Sequence, residues 1–260
     1  MDSFDLRLWK GFEQSGGAMN SPAIVDQIVI DSKRIDSKNS LFVALPGLKC
    51  DGHMFVGEAI EAFASFALVK RDFLPPSNMP SHFTLLRCDD PLQALQEIAE
   101  TYRLTKKAKV IAITGSYGKT MVKDLLHAFL SQKKCVISSP ESFNSQIGVA
   151  LSLLNITDAH ESAIIEAAIS KKGEMERLHN MIQPDAVILT HLANKHETTL
   201  GNLHTAASEM MKMCAKTSSN SWQLLPNHSH LQPHLSNIHT PHYFWNEKTG
   251  QSSFCCLKVV

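Results

Sequence analysis

The residues with the clearest chemical potential in this chain are Thr114, Gly115, Ser116, Tyr117, Gly118, Lys119 and Thr120. Glycines at 115 and 118 let a backbone bend close to an anion. Lys119 has the reach for terminal phosphates, and the Thr120 hydroxyl is a ligand type for Mg2+. The general phosphate-loop pattern places a glycine five residues before Gly118, where this chain has Ile113. A helix that simply starts after a Gly-Ser turn would use the same residues, so the flanking elements have to decide.

Those elements favour a nucleoside triphosphate cradle. Val110-Ile111-Ala112-Ile113 is a β-branched run that predicts a strand. After the loop, Met121, Val122, Leu125, Leu126, Phe129 and Leu130 recur at helical spacing, which predicts a helix with one buried face. The loop is therefore expected on a helix N-terminus, where unpaired N–H groups and the helix dipole favour phosphate. ATP with Mg2+ is the ligand that these residues imply.

Punctuation and periodicity supply the rest of the frame. Leu6 to Ala18 reads as a short helix, Ile28 to Ser32 and Leu41 to Leu45 as strands, Gly57 to Ala64 as a helix, and Phe66 to Val69 as a strand. Asp90-Pro91 starts another helix, with Pro at its first position and Asp as cap. Beyond the phosphate loop the pattern continues as a strand at Cys135–Ile137, a helix from Ser145 to Leu154, and an apolar run Ala163–Ala168 that holds Glu166. A helix from Gly173 to Met181 and a strand Ala186–Thr190 follow. Strands alternating with helices predict parallel β-α-β units with ligands at the carboxyl ends of the strands, where Glu166 and the residues after Thr190 would sit. On residue type alone, Glu166 reads as a strand-end or solvent-facing acid rather than a ligand.

At 260 residues, one or two domains are expected. The fold class is α/β, with a small α/β domain over residues 1–88 and a P-loop, parallel-sheet domain over 89–260. Twenty-five basic and 25 acidic residues balance, which leaves no basic footprint for nucleic acid. The start, Met1-Asp2-Ser3-Phe4-Asp5, lacks a basic and apolar leader, and no apolar run is long enough to insert in a membrane; a cytoplasmic location is expected. Six cysteines without a C-x-x-C pair read as reduced thiols, mostly packed in the core. His228, His230, His234, His239 and His242 match no ligand spacing and read as a solvated or irregular loop.

The order of these motifs resembles the Mur ligases, which build the peptide of bacterial cell-wall precursors. Thr114-Gly115-Ser116-Tyr117-Gly118-Lys119-Thr120 matches that family's form of the phosphate loop, and this explains Ile113. Asp31-Ser32-Lys33-Arg34, Leu41-Phe42-Val43-Ala44-Leu45-Pro46-Gly47 and Asp51-Gly52-His53 resemble its amino-terminal UDP-binding domain. Phe143-Asn144-Ser145-Gln146-Ile147-Gly148 is similar to the MurF form of the following segment, though the preceding, MurE-type ligase shares the amino-terminal logic.

The resemblance implies an ATP-dependent ligase that joins D-alanyl-D-alanine to UDP-N-acetylmuramoyl-tripeptide through an acyl phosphate. It further implies that Lys119 and His196 act in catalysis, that Thr120, Glu166 and His196 hold Mg2+, and that Ser32 and Asn144 contact substrate. Phosphoryl transfer of this kind rests on positioning and charge neutralisation.

Three departures point the other way, toward a nucleotide- or UDP-sugar-peptide-binding module or a decayed remnant. The family's carbamylated lysine corresponds to Met210, and Lys212 would lie about 200 degrees further round a helix. The segment from His191 to Lys195 lacks the family's asparagine and its Gly-Pro turn. The chain also ends where the family's ATPase domain would continue, so a separate chain supplying the third domain, or no turnover by this chain alone, is expected.

Overall fold

In a computed structural model of the chain, residues 1–13, 16–17, 22–47, 50–193, 202–214 and 221–245 are described. The chain divides into two compact units, Met1–Thr105 and Lys106–Val260.

In the first unit, β1 (Phe4–Asp5) pairs antiparallel with β2 (Ile24–Val25). The segment between them corrects an expectation, for its described residues form no α-helix. Leu6–Leu8 is a 3-10 turn, and Leu6, Trp9 and Phe12 are all buried. Trp9 N–H donates to Leu6 O and Phe12 N–H to Trp9 O, both at 3.0 Å, so the apolar residues recur every third position, the period of 3-10 structure.

A four-stranded sheet follows, made of β3 (Gln27–Val29), β4 (Ser40–Val43), β5 (Phe66–Lys70) and β6 (Thr84–Cys88), parallel throughout and in sequential order. Between β4 and β5, α1 (Val56–Glu61) packs through Val56 and Ala59 onto Phe42, Ala44, Ala67 and Val69. Strand β6 was not anticipated; its residues Thr84-Leu85-Leu86-Arg87-Cys88 alternate poorly and follow a proline-rich loop.

Next comes α2 (Pro91–Leu104), capped by Asp90, whose carboxylate accepts from Leu92 and Gln93 N–H. This helix opens the second domain in the sequence reading but is counted in the first unit. Its side chains explain why: Tyr102 Oη accepts from Asp2 N–H, its ring meets Phe4 edge-on, and Glu97 accepts from Trp9 Nε1 at 2.9 Å.

The second unit is a six-stranded parallel sheet. Its strands are β7 (Lys109–Thr114), β8 (Val136–Ser138), β9 (Ser162–Glu166), β10 (Ala186–Leu189), β11 (Trp222–Pro226) and β12 (His242–Trp245), in the order β12-β11-β10-β7-β9-β8. Its helices are α3 (Lys119–Leu130), α4 (Gln146–Leu154), α5 (Glu174–Ile182) and α6 (Leu203–Met211). From β7 the chain runs to β8 and β9 on one side and then to β10 on the other. The carboxyl end of β7 is thus a topological switch point, where the loops on either side part and leave a crevice.

On α3 the expected single buried face divides in two. Val122, Leu126 and Leu130 pack against Ile113, Ile164 and Ile188, while Met121, Leu125 and Phe129 are 65, 65 and 69% exposed. The apolar recurrence spans two neighbouring stripes, and the sheet covers one.

The histidine-rich stretch is more regular than expected. Ser229–Asn237 is 3-10 helix, the His228 side chain accepts from His230 N–H to cap it, and His242 is buried in β12. Strand β11 ends on Pro226 and was not anticipated, and β12 was missed although its Tyr243-Phe244-Trp245 run is strand-forming. Among the described residues no helix is long and apolar enough to cross a membrane.

The cysteines also differ from expectation, since Cys50 and Cys135 are exposed and only Cys214 of the four described is buried. Cys255 and Cys256 lie outside the described residues. Burial pushes the Cys214 thiol up to about 12, which suppresses its thiolate at neutral pH. Peptide mapping after alkylation at pH 8 should therefore find Cys50 and Cys135 modified in the native protein and Cys214 modified only after unfolding in urea. Equal labelling of all three would contradict this packing.

Candidate functional site

The β-branched run of β7 fixes where the loop begins, and the loop's own bonds fix its shape. Thr114 O accepts from Thr190 N–H at 2.9 Å, continuing the β7–β10 pairing past the last strand residue. Thr190 Oγ1 also donates to Tyr117 O at 2.6 Å. Ser116 is held at both ends: its N–H donates to His191 O at 2.8 Å, its hydroxyl donates to Ala193 O, and it accepts from Ala193 N–H. The segment 190–193 is therefore a template against which the phosphate loop is laid.

Both loop glycines have positive φ, 136° at Gly115 and 78° at Gly118. Gly115 is also a close approach, because a Cβ there would lie 2.3 Å from Thr190 Oγ1 and 2.9 Å from His191 N. Gly118 is the N-cap of α3 and provides no side-chain cap. The positive end of the α3 dipole thus carries no cap from its own N-cap side chain. Lys119, the first helical residue, folds back so that its ammonium donates to Gly115 O at 2.8 Å. Half-buried Thr120 follows it in the first turn.

Strand β9 brings a carboxylate to the same edge. Glu166 is in register with Ile113 of β7, two residues before Gly115. Side chains alternate along a strand, so Glu166 shares a face with Ile164, which α3 covers through Val122, Leu126 and Leu130. Glu166 is 1% exposed. Its Oε1 accepts from Asn144 Nδ2 at 2.7 Å, and its N–H donates to Ser139 Oγ at 3.1 Å. Oε2 is buried and has no hydrogen-bond partner among the described residues. A carboxylate oxygen left so in low-dielectric surroundings costs several kcal/mol unless a cation answers it. The donor types at this edge, one carboxylate oxygen and the threonine hydroxyl of the first turn of α3, suit a hard, oxygen-seeking divalent ion.

The fold thus gathers Thr114, Gly115, Ser116, Tyr117, Gly118, Lys119, Thr120, Asn144 and Glu166 at one sheet edge. Ser32 belongs to the first unit, where its hydroxyl donates to Glu58 Oε2 at 2.7 Å. His196 lies outside the described residues. Met210 is buried in α6, and Lys212 pairs with Glu209 at 2.7 Å. Glu209 itself is buried and accepts from Gly173 N–H at 2.6 Å, next to the start of α5. Sequence reasoning missed Lys123, Ser139 and the Thr190 hydroxyl. Lys123 could have been noticed as a charge on the stripe shared by Lys119, Leu126 and Leu130.

Residues 113–252, more than half of the chain, match the model of the Mur ligase middle domain. The chain belongs to the Mur ligase family. A curated Mur ligase relative, the UDP-N-acetylmuramoyl-tripeptide--D-alanyl-D-alanine ligase of Bacillus subtilis, is 32% identical over 190 residues, covering 73% of this chain and 41% of the relative. The crystal structure of MurF from Acinetobacter baumannii superposes with a TM-score of 0.80 at 20% identity, over 95% of this chain and 53% of that one. MurF from Thermotoga maritima in complex with ADP gives 0.74 at 23% identity, over 86% and 51%. These likenesses place the fold among Mur ligases of the MurF type, and the MurE-type reading draws no support from them. This Mur ligase chain spans about half the length of the relatives it matches.

The two loop glycines make a paired test. Gly115→Ala should destabilise the second unit by about 3 kcal/mol, since strain and a backbone clash coincide, and Gly118→Ala by only about 1 kcal/mol, because nothing lies within contact distance there. Urea denaturation of both variants measures this; equal losses would show that the loop is not pressed against residues 190 and 191.

Proposed function

We propose that this chain binds ATP with Mg2+ at the loop Thr114–Thr120 and serves an ATP-dependent ligase that adds D-alanyl-D-alanine to UDP-N-acetylmuramoyl-tripeptide. The observation that carries this reading is the unpartnered, buried Oε2 of Glu166 at the same sheet edge as an uncapped helix N-terminus with Lys119. Family membership and the names of the relatives support the choice of substrates.

Each residue then has a physical task. Backbone N–H groups of the loop and first helical turn receive phosphate oxygens, and Lys119 moves from Gly115 O to the terminal phosphates, a charge-assisted contact. Thr120 and Glu166 would hold Mg2+, with His196 as a further ligand. The ion's contribution would be to neutralise charge on the phosphates during transfer. Asn144 keeps Glu166 aimed by occupying Oε1. Ser32, in the amino-terminal unit, serves the UDP-bearing substrate.

In the reaction so assigned, a carboxylate oxygen of the tripeptide attacks the γ-phosphorus of ATP. The bond from that phosphorus to the bridging oxygen breaks, and ADP leaves with the electron pair. The amino nitrogen of D-alanyl-D-alanine then attacks the acyl carbon, inorganic phosphate departs, and the nitrogen releases its extra proton to solvent. The chain's residues bind, orient and neutralise; none needs to form a covalent bond.

Isothermal titration with ATP and Mg2+ tests the site. Wild-type chain should bind, and Lys119→Ala should weaken binding by about tenfold or more, the equivalent of about 1.4 kcal/mol or more. Equal affinity in the two proteins would remove the phosphate loop from the reading.

A further inference from the structure

Lys123 is 2% exposed, one turn beyond Lys119 on α3. Its ammonium donates to Ser139 O at 2.9 Å and to Glu141 O, and it pairs with Asp124 Oδ1 at 3.3 Å. Three N–H donors thus meet three acceptors, the condition under which burial of an ammonium is tolerated. A methionine would fill the same space without the desolvation cost, so packing alone does not account for a lysine here.

What the ammonium grips lies directly upstream of Asn144, the residue that holds the Glu166 carboxylate. Ser139 and Glu141 follow β8 and lead to Asn144. Glu141 has φ of 44°, in the left-handed region, which costs a non-glycine residue about 1–2 kcal/mol and needs an external hold. Ser139 N–H donates to Ile164 O, Ser139 Oγ accepts from Glu166 N–H, Asn144 Nδ2 holds Glu166 Oε1, and Asn144 O accepts from Ala168 N–H at 2.9 Å. Lys123 therefore ties the phosphate-loop helix to Ser139, which bonds the Glu166 backbone, and to Glu141, three residues before the Asn144 that holds the Glu166 carboxylate.

We infer that Lys123 is a positioning residue, which sets the free oxygen of Glu166 where a divalent cation carried by the nucleotide at Lys119 and Thr120 meets it. This rests on the nucleotide reading above. It implies that metal and nucleotide bind cooperatively, and that the cooperativity passes through the Lys123 contacts.

The test is ATP affinity measured with Mg2+ and again with EDTA, together with thermal melting. Wild type should bind more tightly with Mg2+. Lys123→Met should lose about tenfold of that gain, the usual scale for a group that orients a metal ligand, while its metal-free affinity stays within about twofold. A role in stability alone would lower the melting temperature and leave the Mg2+ gain intact, and that result would overturn the inference while the nucleotide site stands. Absence of any Mg2+ gain in wild type would overturn both. If Lys123→Met does not fold, Lys123→Gln decides, since its amide spans too little to hold both carbonyls: a reduced Mg2+ gain supports the inference and an unchanged gain overturns it.

Discussion

A carboxylate withdrawn from water must be answered by donors or by a cation, and in this chain Glu166 is answered by half. One oxygen is held by Asn144, and the other is buried without a partner among the described residues. That imbalance would cost several kcal/mol in an isolated fold. It becomes intelligible beside the start of α3, whose N-cap Gly118 has no side chain to cap the helix, because a phosphate-bound cation would satisfy both sides together. The rest of the second unit can be understood as the means of holding these two unfinished ends next to each other.

The parallel sheet does the holding. Register places Glu166 level with Ile113, and the strand order places β10 on the opposite side of β7, so that Thr190 and His191 shape the loop from one flank while Ser139 and Asn144 aim Glu166 from the other. Apolar packing of Ile113, Ile164 and Ile188 under α3 anchors the assembly, each buried side chain contributing about 1.5–3 kcal/mol. The polar groups at the edge are positioned by that packing and by backbone bonds, which leaves their side chains available for ligand.

Much of this was legible in the sequence. The strand at Val110–Ile113, the Gly-bracketed loop, the Asp90-Pro91 helix start and the helix from Ser145 to Leu154 all depend on local rules, and the structure follows them. Periodicity is weaker evidence of burial, for it tells which side chains share a face but not whether anything covers that face; Met121, Leu125 and Phe129 are exposed for that reason. Strands β6 and β11 escaped because neighbours impose the extended backbone there more than composition does, whereas the Tyr243-Phe244-Trp245 run of β12 is strand-forming and was readable. Glu166 could be placed at a strand end, yet its free oxygen depends on Asn144, 22 residues earlier in the chain, and Lys123 gains its meaning only from Ser139 and Glu141. Such long-range bonds have no sequence period.

The central claim, that the free oxygen of Glu166 is a ligand for a nucleotide-bound cation, is tested most directly by paramagnetic resonance of Mn2+ used in place of Mg2+. Titrating Mn2+ into the chain with saturating ADP should show protein-bound Mn2+ whose affinity falls at least about tenfold in Glu166→Gln, an isosteric change that removes the charge. Equal Mn2+ affinity in wild type and Glu166→Gln would contradict the claim.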